Sequence, residues 1–123
     1  GLFFAFVMMP ALEQQVAPAP PTEAQKLDYL IATVAALPAA SFLRNGPAYD
    51  AARAAAHLRL KRRYAGSRVK TAEDFIVYCA TASSMSGVRY SIRFVDGRSE
   101  DAATFLRHRL VVYDGNPDAF TGR

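Results

Sequence analysis

The 123-residue chain has no tryptophan, a single cysteine, and seven glycines that all stand singly. Each shortage removes a class of chemistry. One cysteine cannot close an internal disulfide, so a disulfide scaffold is excluded, and no Cys pair is present to hold zinc. Scattered glycines leave no Gly-rich loop opening a helix, hence no phosphate cradle. The chain also lacks H-E-x-x-H, a D-x-D-x-D-G loop and a G-x-S-x-G elbow, so no structural metal and no cofactor is implied. No sequence repeat suggests a solenoid.

Just over half of the residues are hydrophobic, 51%, and 21% are charged. That is enough apolar material for one core in a chain too short for two domains. The organisation expected is a leader over residues 1–21, a single domain over 22–115 and a flexible tail over 116–123. The leader opens with Leu2-Phe3-Phe4-Ala5-Phe6-Val7-Met8-Met9-Pro10-Ala11-Leu12, an uncharged run without a polar helical face. It is shorter than the ~20 residues needed to span a bilayer and matches the h-region of a signal peptide, whose basic n-region would precede Gly1. Glu13 to Pro21 then forms a Pro-rich extended segment, with cleavage expected near Ala17 or Ala19. The expected product is an exported, periplasmic protein without stable membrane insertion. Loss of residues 1–21 removes Glu13 and leaves 15 basic against 10 acidic residues, a charge of +5. Such a surface favours anions.

Within the domain, Thr22-Glu23-Ala24-Gln25 has the form of a capping box ahead of Leu27, Leu30, Ile31, Val34 and Leu37 at helical spacing, so a helix should run to about Leu37, before Pro38. Ser41 to Arg44 reads as a strand ending at Asn45-Gly46, a turn pair. A second helix starts at an Asp50 cap and runs to about Ala65, stopped by Gly66. It carries His57 and Lys61 one turn apart, and its Arg53, Arg59, Arg62 and Arg63 read as a solvated basic face. Thr71 and Asp74 make a second capping box for a helix with Phe75, Ile76, Cys79 and Ala80 inward, which makes Cys79 a core thiol.

Thr81 to Gly87 is a polar loop. Arg89 to Val95 alternates as a half-buried strand with Tyr90, Ile92 and Phe94 on one face, and Asp96-Gly97 turns it. Ser99 is then expected to cap a last helix bearing Ala102, Phe105, Leu106, Leu110 and Tyr113. The order α-β-α-α-β-α predicts an α+β domain: a small two-stranded antiparallel sheet, near Phe42 to Arg44 and Arg89 to Val95, packed by about four helices. Phe105 and Leu110 belong to its expected core.

Four short motifs follow one another between Phe42 and Gly87: Leu43-Arg44-Asn45-Gly46, Ala54-Ala55-Ala56-His57-Leu58, Thr71-Ala72-Glu73-Asp74-Phe75-Ile76 and Ser83-Ser84-Met85-Ser86-Gly87. In combination this series resembles the YfeK-like family of small exported Gram-negative bacterial proteins of unknown function, whose members share an (I/V/L)-R-N-G turn, an A-A-x-H-L helix, a T-A-E-x-F-I helix start and an S-S-x-(S/T)-G loop. The resemblance covers roughly residues 28–110 and extends to Tyr49, Lys61 and Tyr90. Where that family commonly has an acidic residue, third after the second helix cap, this chain has Arg53.

The polar motif residues either tie strands to helices or line a site, with Glu73 a candidate partner for Lys61. Arg44, Asn45, Tyr49, His57, Lys61, Ser83, Ser84 and Ser86 are the candidate ligand-binding residues, because guanidinium, amide, imidazole and ammonium supply donors in excess and suit carboxylates or phosphates. The reading is a non-catalytic binding or interaction module for an anionic envelope component or a periplasmic protein partner, with no nucleic acid, since export removes it from that partner and Tyr64 alone interleaves the basic segment. The alternative is a small hydrolase using a serine of the Ser83 to Ser86 loop with His57, which requires a serine Oγ within hydrogen-bond reach of the imidazole.

Overall fold

The computed structural model describes residues 19–44 and 46–115. The leader up to residue 18, Asn45 and the tail over 116–123 lie outside the described residues, and with them the expected export signal, tail and one candidate site residue. Among the described residues, four helices and four strands follow in the order α1 (Glu23–Ala35), β1 (Ser41–Leu43), β2 (Ala48–Tyr49), α2 (Ala51–Ala65), α3 (Ala72–Cys79), β3 (Ser91–Arg93), β4 (Ser99–Asp101) and α4 (Ala102–Gly115), with a 3-10 turn at Gly66–Arg68.

The local signals at the helix ends act as their chemistry dictates. Thr22 and Gln25 close one capping box and Thr71 and Asp74 the other, so orphan N–H groups of both first turns find side-chain acceptors. Asp50 accepts from the Arg53 backbone N–H, and Gly66, with a positive φ of 56°, ends α2. With Arg at the third helical position, that cap has no reciprocal carboxylate. Glu23 contributes across the fold: its Oε1 accepts from the Ala72 N–H at 2.7 Å, so the first turn of α1 satisfies the first turn of α3.

The sheet corrects the expectation of two strands. It has four, all antiparallel, in the order β2-β1-β3-β4. The central pairing is the expected one, with Phe42 opposite Ile92. The two outer strands were hidden for different reasons. Ala48–Tyr49 is only two residues long, too short to show an alternation, and it pairs back on β1 through the turn in which Gly46 takes a φ of 104°. Ser99 is not the cap of the last helix. It sits in β4 opposite Arg93, because the Gly97 N–H donates to the Phe94 carbonyl and reverses the chain tightly enough to extend the ladder. Asp101 takes over the capping role, accepting from the Thr104 N–H at 3.1 Å.

The core lies between the inner face of the sheet and the helices. Leu27, Leu30, Ile31 and Val34 form the buried stripe of α1, which packs against all three other helices. Phe75, Ile76 and Cys79 of α3 have no exposed surface, and Phe42 and Ile92 meet them from the sheet. Burial raises the Cys79 thiol pKa, in keeping with a packing role. Phe105 and Leu110 depart from expectation: both are only half-buried, because α4 buries Ala102, Ala103 and Leu106 and leaves Phe105 at the sheet margin against Phe94, ring centroids 5.9 Å apart. Tyr29 takes an inward place instead, stacked on Tyr113 at 4.1 Å. Among the described residues no helix is long and apolar enough to cross a membrane.

Candidate functional site

The end of β1, the start of β3 and the middle of α2 converge on one cationic corner. Arg44 leaves β1 just before the turn, and α2 starts one residue after β2, so the hairpin returns the chain with His57 facing Arg44. The Arg44 Nη1 lies 2.6 Å from His57 Nε2 and 3.0 Å from Nδ1, while its Nη2 donates to the Tyr49 hydroxyl at 3.1 Å. A guanidinium can only donate, so the imidazole accepts, which its neutral form alone can do. Burial first, and then the charges of Arg44 and Lys61, hold the His57 pKa below its ordinary value.

Lys61, one turn further along α2, donates to the Tyr90 hydroxyl at 2.9 Å. The Tyr90 ring stands edge-on to His57 at 6.3 Å, and Tyr49 is flanked by Arg44 and Arg53, each guanidinium about 5 Å from its ring centroid. Glu73, the candidate partner of Lys61, is elsewhere: its carboxylate pairs with Arg107 at 2.8 Å. Among the described residues no carboxylate lies within 4.0 Å of Arg44 or Lys61.

Two hollows adjoin this corner. An outer groove of about 500 Å³ is lined by Arg44, His57, Lys61 and Arg68, by Ser83 and Ser84, and by the side chains of Leu60, Tyr64, Tyr78 and Met85. Those four apolar or aromatic groups are exposed, Met85 to 91%. An inner cavity of about 170 Å³ reaches toward the core, between Val34, Phe42, Leu58, Ile92 and Leu106, with Tyr49 and Arg53 also on its wall. Arg44, His57 and Tyr90 line both, so they form the partition between groove and cavity.

The serine loop is largely occupied with holding itself. Ser83 is buried, and its Oγ accepts from the backbone N–H groups of Met85 and Ser86, at 3.2 and 3.3 Å. Its own N–H and carbonyl bind Val88 and Gly87. Ser86 Oγ accepts from the Val88 N–H, while Ser84 is exposed on the groove wall. Among the described hydrogen bonds none joins a serine hydroxyl to His57, whose ring nitrogens face Arg44 instead. His108 is exposed on α4. Of the candidate residues, Arg44, Tyr49, His57 and Lys61 thus come together, Ser83 and Ser84 border them, and Ser86 serves the loop.

Alternation marks Tyr90 as a core residue, which it is, but does not show that its hydroxyl accepts from Lys61. A signal was available, since a buried tyrosine hydroxyl needs a partner. Arg53 and the apolar rim gave no such hint: exposed side chains at helical spacing look alike in sequence whether they face a groove or open water.

No solved structure matches this chain. The uncharacterized protein YfeK of Salmonella typhimurium is 44% identical over 50 residues, which make up 41% of this chain and 42% of that protein. The chain therefore spans less than half the length of that relative. A family model covers nearly the whole described domain, residues 21–114, and with the motifs at Arg44, His57 and Thr71 it settles the classification: this chain belongs to a family of unknown function (DUF5329), with a YfeK-like sequence.

Proposed function

We propose that this protein is a non-catalytic binding module of the periplasm whose groove beside Arg44, His57 and Lys61 takes an anionic component of the cell envelope. One observation carries the reading: two half-buried cations and a neutral imidazole share a concave surface in which no carboxylate among the described residues neutralises them. Arg62 and Arg89 pair with Asp28 and Asp101 elsewhere on the surface, whereas Arg53 and Arg68, which border the two hollows, like Arg44 and Lys61 have no carboxylate within 4.0 Å among the described residues. A donor-rich, acid-free concavity suits a carboxylate or phosphate, which accepts several charge-assisted hydrogen bonds at once. The geometry favours binding over hydrolysis because the His57 lone pair faces a guanidinium and Ser83 Oγ is engaged by the loop backbone.

The test is recovery of envelope components by crosslinking and pull-down, comparing the wild type with the Arg44→Gln, Lys61→Gln double variant after circular dichroism has verified folding. Salt-sensitive capture by the wild type that is lost in the variant is expected. Equal capture by a folded double variant removes this surface from consideration.

A further inference from the structure

We infer that groove and cavity form one amphiphilic site whose ligand is a small monocarboxylate with a compact apolar body: the body fills the inner cavity and the carboxylate remains at the partition, beside Arg44, His57 and Lys61. This rests on the proposed anion-binding role and adds the ligand class. The inner cavity is not a polar void. Its apolar wall includes Phe42, Leu58, Ile92 and Leu106, and its polar groups are Arg44, Tyr49, Arg53, His57, Tyr90 and Ser91, of which Arg44, His57 and Tyr90 are shared with the groove.

Apolar lining at one end with cations at the other selects a molecule of matching polarity. A free inorganic anion would leave the cavity empty, and a neutral hydrocarbon would leave the cations unanswered. Size sets the second limit. An engineered apolar cavity of ~150 Å³ holds a benzene molecule, so about 170 Å³ is room for a phenyl ring or a branched chain of about five carbons.

The polar contacts at the partition can be exchanged for a carboxylate. Arg44 is held by two neutral acceptors, the His57 ring and the Tyr49 hydroxyl. Exchanging one of them for a carboxylate replaces an ion–neutral hydrogen bond by an ion pair at the same guanidinium. Tyr90 holds Lys61 in the same way, so the second cation can also turn to the ligand without breaking a salt bridge. The exposed Leu60, Tyr64 and Met85 along the groove offer apolar footing outside the partition.

The experiment is a nuclear magnetic resonance titration of the protein with acetate, benzoate, benzyl alcohol and biphenyl-4-carboxylate. It is repeated on Ala54→Leu, which places extra carbons in the cavity from a half-buried helical position and keeps a strong helix former there, and on the Arg44→Gln, Lys61→Gln variant. Benzoate should bind roughly tenfold or more tightly than acetate, as burial of a ring implies, and should shift Leu58 and Ile92 as well as His57. Benzyl alcohol and the biphenyl acid should both bind more weakly than benzoate. Ala54→Leu should remove the advantage of benzoate and leave acetate binding unchanged. Acetate and benzoate binding equally, both at the cationic corner and both lost in the double variant, overturns the amphiphilic site and leaves anion binding standing. Benzyl alcohol matching benzoate overturns the carboxylate assignment. Failure of both acids to bind, or binding untouched in a folded double variant, overturns the inference together with the anion-binding role. The ligand series on the wild type decides the question if Ala54→Leu does not fold.

Discussion

Lys61 donates its ammonium proton to the Tyr90 hydroxyl at 2.9 Å across a separation of 29 residues, joining α2 to the residue that leads into β3. The contact carries a structural and a functional consequence at once. It anchors the helix to the sheet where the groove and cavity meet, and it leaves the charge of Lys61 without a carboxylate partner among the described residues. Tyr90→Phe and Lys61→Met should each cost about 0.5–1.5 kcal/mol in urea unfolding, and the double variant should lose less than the sum, because the two share one bond. Strict additivity would mean that the pair does not couple in solution.

Phe75 and Phe105 test where the core lies. Phe75 is fully buried, so Phe75→Ala should cost about 3–5 kcal/mol, enough to threaten folding of a domain of this size. Phe105 is half-buried at the sheet margin, and Phe105→Ala should cost clearly less. Denaturant midpoints compare them directly, and equal losses would contradict the placement of α4.

Asp101 gives the domain an acid-sensitive joint. Two bonds from Arg89, followed by those from Thr104, bring its carboxyl pKa down to about 2 from an ordinary 3.8. With the folded value depressed, this stabilisation is complete above the unfolded value and is lost as pH falls from there toward about 2. Asp101→Asn keeps a capping side chain and should flatten the decline in that window, whereas Asp101→Ala also loses the cap, at about 0.5–2 kcal/mol at neutral pH. Urea melts between about pH 5 and pH 2 separate the two effects.

His57 acts at a higher pH with the same sign. Its folded pKa lies below the ordinary 6.5, so the unfolded chain binds the extra proton more readily. Stability from the neutral ring is therefore complete above about 6.5 and falls as pH drops through that value toward the lowered folded one. His57→Gln should remove this slope as pH falls below about 7. An imidazole titration midpoint at or above 6.5 in the folded wild type would contradict the contact with Arg44.

Adjacent residues in the chain were sufficient to determine much of this protein. Caps at Thr22, Asp50 and Thr71 depend on groups three residues apart, and the stripes on α1 and α3 depend on helical period, so both are written locally and both appear in the structure. The motifs around Arg44, His57 and Thr71 likewise carried the family. The outer strands were decided by tertiary pairing: Ala48–Tyr49 and Ser99–Asp101 are strands because β1 and β3 present backbone groups for them to bond, not because of their own alternation. The same holds for the site. Arg44, His57 and Lys61 could be singled out by residue type, but that Arg44 meets a neutral imidazole, that Lys61 meets Tyr90 and not Glu73, and that a cavity lies behind them depends on the angle at which α2 crosses the hairpin. Packing of distant segments decides that angle.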